Sequence, residues 1–95
     1  MDEKAIEFYK RLKDELDTTT EKWPSEYLYK FIVPANTGKE LDVEKAFDGM
    51  GAVIKNNVSK TGKYVSISIN VFMPDSDSII EKYKEVSTIE GIISL

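Results

Sequence analysis

The chain has 95 residues, 41% hydrophobic and 32% charged, with 13 Lys+Arg against 17 Asp+Glu and a net charge of −4. That is one domain's worth of chain with one modest core, and it is too acidic for a general nucleic-acid binder. Histidine and cysteine are both absent, which excludes disulfides, thiolate chemistry, histidine-based nucleophile arrangements and every His/Cys metal site.

The opening, Met1 to Ala5, is charged and no apolar run follows it, so it does not read as a secretory signal. No stretch approaches the ~18 apolar residues of a spanning helix. The expected location is the cytoplasm, with no membrane contact. Residues 2–17 then read as a helix. Ala5, Tyr9, Leu12 and Leu16 form one apolar stripe, with Asp2 and Glu3 at its positive end. Such a helix is marginal alone in water and should be docked. The surface proposed to receive it is the outer face of a sheet, at Leu28, Ile32, Tyr64 or Phe72. The contact could form within one chain or across a homodimer.

Residues 26–33 read as a strand whose two faces are both largely apolar, as befits a central position. Tyr27, Tyr29 and Phe31 are expected in the core. Lys30, on the other face, is the exception, either solvated on an open face or covered by the first helix. Pro34 to Gly38 is a loop, and Thr37 with Glu40 suggests a capping box for a second helix. Leu41, Val43, Ala46, Phe47 and Met50 should supply that helix's buried side, with Gly49 as its terminator.

Residues 52–58 form a weaker strand. Ser59-Lys60-Thr61-Gly62 reads as a hairpin connection, and residues 63–73 alternate strictly with period two. After the stop at Pro74 to Asp77, residues 78–87 read as a helix and 92–95 as a short last strand. The order is a helix followed by βαββαβ. The predicted fold class is α+β, ferredoxin-like, with a four-stranded antiparallel sheet in the order 4-1-3-2. Two helices lie on one face and an extra helix stands at the N-terminus.

The chemistry candidates are few. Asp75 with Asp77, and Asp42 with Glu44, read as helix-terminal carboxylates rather than acid/base pairs. The run Ser59 to Lys63 lacks the first glycine of a phosphate loop and leads into a strand, which rejects nucleotide hydrolysis. An RNA platform fails because Ser66 and Ser68 follow Tyr64 on the same face. No acidic residue occurs between Gly49 and Pro74. Lys55, Ser59, Lys60, Lys63 and Tyr64 are therefore the expected contact for an anion or an acidic partner. Asn36, Thr37 and Gly38 are the expected ligand-binding residues if the first loop holds a small polar molecule.

Three segments carry a resemblance. Trp23-Pro24-Ser25-Glu26-Tyr27-Leu28-Tyr29-Lys30 looks like an aromatic-Pro-x-x-aromatic-x-aromatic-Lys opening. Ser59-Lys60-Thr61-Gly62-Lys63-Tyr64-Val65-Ser66 looks like an S-x-x-G-x-Y-x-S hairpin, and Tyr83 to Ile92 like a closing Y-x-x-[LV]-x-x-I-[DE] segment. Together they resemble the YbeD-like family of small bacterial proteins of unknown function over about residues 23–95. The resemblance implies a βαββαβ fold similar to ACT-type regulatory domains. Val58 departs from the family's usual proline, and residues 1–22 form an added helix and connector ahead of a 23–95 domain. The expected function is a small, non-enzymatic regulatory or protein-interaction module without a cofactor. The alternative is an ACT-like sensor of a small anionic metabolite or amino acid. Nucleic acid is not an expected partner.

Overall fold

The computed structural model describes residues 3–95; Asp2, expected at the positive end of the first helix, lies outside the described residues. The elements in chain order are α1 (Glu3–Thr19), β1 (Ser25–Pro34), α2 (Lys39–Lys45), β2 (Val53–Val58), β3 (Tyr64–Met73), α3 (Ser76–Val86) and β4 (Ile93–Ser94). The sheet order is β2-β3-β1-β4 with every pairing antiparallel, the expected 4-1-3-2 arrangement. The two strands richest in alternating apolar residues, β1 and β3, hold the centre and pair over ten residues.

That register sets the layers. Tyr29, Phe31 and Val33 lie opposite Ile69, Ile67 and Val65, and all six are buried. Val43 and Phe47 cover them from α2 and the turn after it, and Ile79, Tyr83 and Val86 from α3. The aromatic stripe of β1 is core because each buried hydroxyl finds a partner, which removes the cost of burying it. The Tyr29 hydroxyl donates to the Ile79 carbonyl at 3.0 Å, and the Tyr27 and Tyr83 hydroxyls meet at 2.8 Å. Lys82 locks the two helices together. Its Nζ donates to the Ala46 carbonyl at the end of α2, 2.6 Å away, and sits 5.5 Å from the Phe47 ring centre.

Three local expectations fail in α2. The Thr37/Glu40 capping box does not form, because left-handed Gly38 (φ 74) takes the N-cap position without any side-chain cap bond. Thr37 is one residue too early and instead donates its hydroxyl to the Pro34 carbonyl at 2.8 Å. Leu41 is exposed rather than buried. Val43 points inward, and two residues at about 100° each carry Leu41 to the opposite side of the helix. Helix α2 ends at Lys45, short of the expected stop at Gly49. By contrast α3 starts two residues earlier than the sequence suggests, at Ser76, where the Asp75 carboxylate accepts the Ser78 N–H at 2.7 Å.

The N-terminal helix is docked within the chain, on a different surface from the one its sequence suggested. It lies along α3, in the helical layer, with Tyr9, Leu12 and Leu16 packed on the core. A polar clasp fixes it. Lys13 Nζ lies 3.3 Å from Asp17 and 3.1 Å from Asp77. Buried Ser76 accepts from Lys13 at 3.2 Å and donates to Asp17 at 2.6 Å. On α3 this stripe finds both the clasp and an apolar flank that includes Ile80. The consequence for function is that α1 leaves the other side of the sheet uncovered.

Candidate functional site

The pleat sends Leu28, Lys30 and Ile32 of β1, and Tyr64, Ser66, Ser68, Asn70 and Phe72 of β3, to the outer face. The register extends this face sideways. Val53 lies beside Asn70 and Lys55 beside Ser68 on β2, and Ile93 lies beside Ile32 on β4. Read across the strands, Phe72, Val53 and Leu28 cluster toward one end, Ile32 and Ile93 toward the other, and Lys55, Ser68 and Lys30 form the row between. Phe72 is 67% exposed, Val53 57%, Ile93 51% and Leu28 45%. A hollow of about 230 Å³ opens on this surface, lined by Glu26, Val53, Lys55, Asn70 and Phe72 among others.

Charge is segregated between the two sides of the sheet. The strands and their hairpin, residues 25–34, 53–73 and 93–95, hold Lys30, Lys55, Lys60 and Lys63 but a single acid, Glu26; the other acids belong to the helices and connectors. Those four lysines are exposed, and among the described residues none of them enters an ion pair; the ion pairs lie within and between α1 and α3. Lys30, ambiguous in the sequence, is therefore a solvated lysine on an open face.

The hairpin tip is well built. Gly62 N–H donates to the Ser59 carbonyl at 2.9 Å with Gly62 at φ 73, and the Ser59 hydroxyl accepts the Tyr64 N–H at 3.1 Å. Ser59 thus shapes the turn, and Lys60 and Lys63 project from it. The Ala35 N–H donates to the Lys63 carbonyl at 2.8 Å, so the loop carrying Asn36, Thr37 and Gly38 sits beside the hairpin at one end of the sheet. Asn36 (φ 62) and Gly38 are both left-handed. Lys55 lies apart from the tip, on the open face itself. The loop and the hairpin tip are therefore neighbours at the Tyr64 end of the outer face, whereas Leu28, Val53 and Phe72 lie toward its other end, with Lys30 and Lys55 between. Sequence reasoning did not count Leu28, Lys30, Val53 and Phe72 as a site; the signal was Lys30, a charge in the middle of a central strand.

The other candidates resolve into structure. Asp75 caps α3 and its carboxyl is held below the usual range by the Ser78 N–H. Asp77 binds Lys13, and Glu44 accepts the Asn56 amide at 3.2 Å. Glu40 has one carboxylate oxygen, Oε2, buried without a hydrogen-bond partner. Among the described residues no group of three or more carboxylates gathers as a metal site, and no helix is long and apolar enough to cross a membrane. Two further hollows lie on the helical side, one of about 260 Å³ between α1 and α3 and one of about 410 Å³ beside Met50, Met73 and Lys82. Neither is lined by the loop at 34–38.

This order of strands with its helices on one side is the ferredoxin-like fold in its ACT-like form. An ACT domain of a GTP pyrophosphokinase from Chlorobium tepidum superposes with a TM-score of 0.52 at 9% identity, covering 75% of this chain and 100% of that one. The solution structure of protein HP0495 from H. pylori superposes with a TM-score of 0.61 at 15% identity, covering 82% of this chain and 92% of that one. The profile of DUF493, a family of proteins of unknown function, matches residues 18–95, and the chain belongs to that family. Helix α1 lies almost wholly outside the matched stretch. No curated protein matches the sequence.

Proposed function

We propose that this chain is a small, non-enzymatic regulatory module of the cytoplasm that works by binding a protein partner through the outer face of its sheet and the adjoining hairpin. The observation that carries the reading is the uncovered face itself. It combines exposed apolar side chains with unpaired lysines in a molecule whose net charge is −4. An exposed apolar surface crossed by lysines is the chemistry of a recognition surface. Catalysis finds little support there: the face carries serines, asparagines and lysines, with Glu26 as its one acid. The test is capture from the native lysate by the wild type and by a Lys60→Glu/Lys63→Glu variant, at low and raised salt. Partners held by the wild type should be lost from the variant and from the wild type at raised salt. Retention indifferent to both changes would overturn the reading.

A second reading has one observation in its favour. The two left-handed residues Asn36 and Gly38 are pinned next to Lys63, an arrangement able to present backbone N–H groups and a cation to a small anion. On this reading the chain is an ACT-like sensor of an anionic metabolite or amino acid. A thermal-shift screen against amino acids and phosphorylated metabolites tests it, since a ligand of the folded state stabilises by mass action. Stabilisation that vanishes in Lys63→Glu would favour the sensor; none at millimolar ligand would reject it.

A further inference from the structure

Resting on the protein-binding reading above, we propose that the partner segment is an acidic amphipathic helix laid across the outer sheet face, with one apolar side chain seated in the hollow between Val53, Asn70 and Phe72. Three features point to this occupant. First, a sheet face is covered in proteins by a packed layer, a helix or another sheet, whereas an added strand reads only an edge. Second, charge discriminates between those layers. The middle row of the face is Lys55, Ser68 and Lys30, and two copies of this chain stacked face to face would bring four unpaired lysines into one dry interface, which is costly. A helix with glutamates beside its apolar stripe supplies the counter-charges instead.

Third, the dimensions fit. Eight residues separate Phe72 from Tyr64, about 27 Å at ~3.4 Å per strand residue. That equals about eighteen residues of α-helix at ~1.5 Å each. Within that span a stripe at i, i+4, i+7 and i+11, about 16 Å long at ~1.5 Å per residue, would meet the Val53/Phe72 hollow and Leu28 toward one end and Ile32 and Ile93 toward the other. The acids flanking it would reach Lys55 and Lys30. The apolar ends of the face are thus separated by a cationic middle, which selects a helix whose stripe is bordered by carboxylates and refuses one bordered by lysines.

The experiment titrates the full chain with three probes: an eighteen-residue peptide of leucines at those positions with glutamates between, its counterpart with lysines for glutamates, and a decauridylate. Backbone amide shifts are read for each. The acidic peptide should move the amides of Leu28, Lys30, Lys55, Asn70 and Phe72 while leaving α1 and α3 still, and the basic peptide should bind at least tenfold more weakly. In Lys30→Glu/Lys55→Glu, both exposed positions, the preference should invert. The variant's spectrum confirms that it is folded, and the inversion separates charge recognition from simple loss. No shifts, equal shifts with both peptides, shifts confined to the helical side, or saturation of the same amides by decauridylate would each overturn the proposal. If lysate partners still require the hairpin lysines while the acidic peptide binds nowhere, the helix proposal fails and the interaction reading stands.

Discussion

The two faces of this one sheet share their strands and differ in nearly everything else. On the inner face Tyr29, Phe31, Ile67 and Ile69 are wholly buried under α2 and α3. On the outer face, one residue along the same strands, Leu28, Lys30 and Phe72 meet solvent. Burial of the inner residues supplies stability at about 25 cal/mol per Å² of apolar surface. The outer residues contribute little of this, so they are free to be chosen for contacts with something else. By docking on α3, α1 thickens the helical layer, and it leaves the opposite face to the solvent.

This contrast can be broken most forcefully at its centre. Ile67→Ala should lower the unfolding free energy by about 2–5 kcal/mol, while Ser68→Ala, the next residue on the other face, should change it by less than about 0.5 kcal/mol. Equal small losses in urea unfolding would erase the distinction between faces. Removing residues 1–18 comes next. Tyr9, Leu12 and Leu16 are partly buried on the core, and their loss should cost about 2 kcal/mol or more. The truncated chain should self-associate through the bared flank of α3, as sedimentation would detect. A truncated chain as stable and monodisperse as the whole would deny α1 its place in the helical layer.

Smaller is Tyr29→Phe, which strips the hydroxyl that donates to the Ile79 carbonyl; about 1 kcal/mol should be lost in the same unfolding assay. Smallest is the pH response of the α1 clasp, whose members are partly exposed and screened. The Ser76 hydroxyl holds the Asp17 carboxyl below its ordinary value of 3.8. The stability this bond supplies is therefore present above pH 3.8 and lost as the pH falls through the depressed folded value. Hydrogen bonding to Asp77, then to Asp17, raises Lys13 above its ordinary 10.5. Its contribution is complete below pH 10.5 and lost as the pH rises through that raised value. Amide exchange in α1 should quicken at both extremes before the sheet loosens, and Ser76→Ala should flatten the acid limb.

Most of the architecture was legible because it rests on periodicity. The strict alternation of β3, the aromatic stripe of β1 and the apolar faces of α1 and α3 each fix an element and its buried side without knowledge of neighbours. The errors fell where neighbours decide. The Thr37/Glu40 pattern has the spacing of a cap, but left-handed Gly38 pre-empts it. Leu41 shares its apolar character with Val43, but a two-residue step turns it outward. The stripe of α1 announces a docked helix but not its acceptor. That choice depends on Ser76 and Asp77, more than fifty residues away, completing the clasp with Lys13. Of the candidate site, the acid-free run and its lysines could be read from the sequence; their junction with the Asn36–Gly38 loop needed the Ala35–Lys63 hydrogen bond, and the hollow beside Phe72 needed the register of β2 against β3.

On this sheet the inner face stabilises and the outer face is proposed to bind. The decisive variant is Val53→Ser/Phe72→Ser, with unfolding and lysate capture measured on the same preparation. Both residues are more than half exposed. The variant's unfolding free energy should stay within about 0.5 kcal/mol of the wild type while the captured partners are lost. A stability loss on the scale of Ile67→Ala, or partners captured as fully as by the wild type, would contradict that division of the faces.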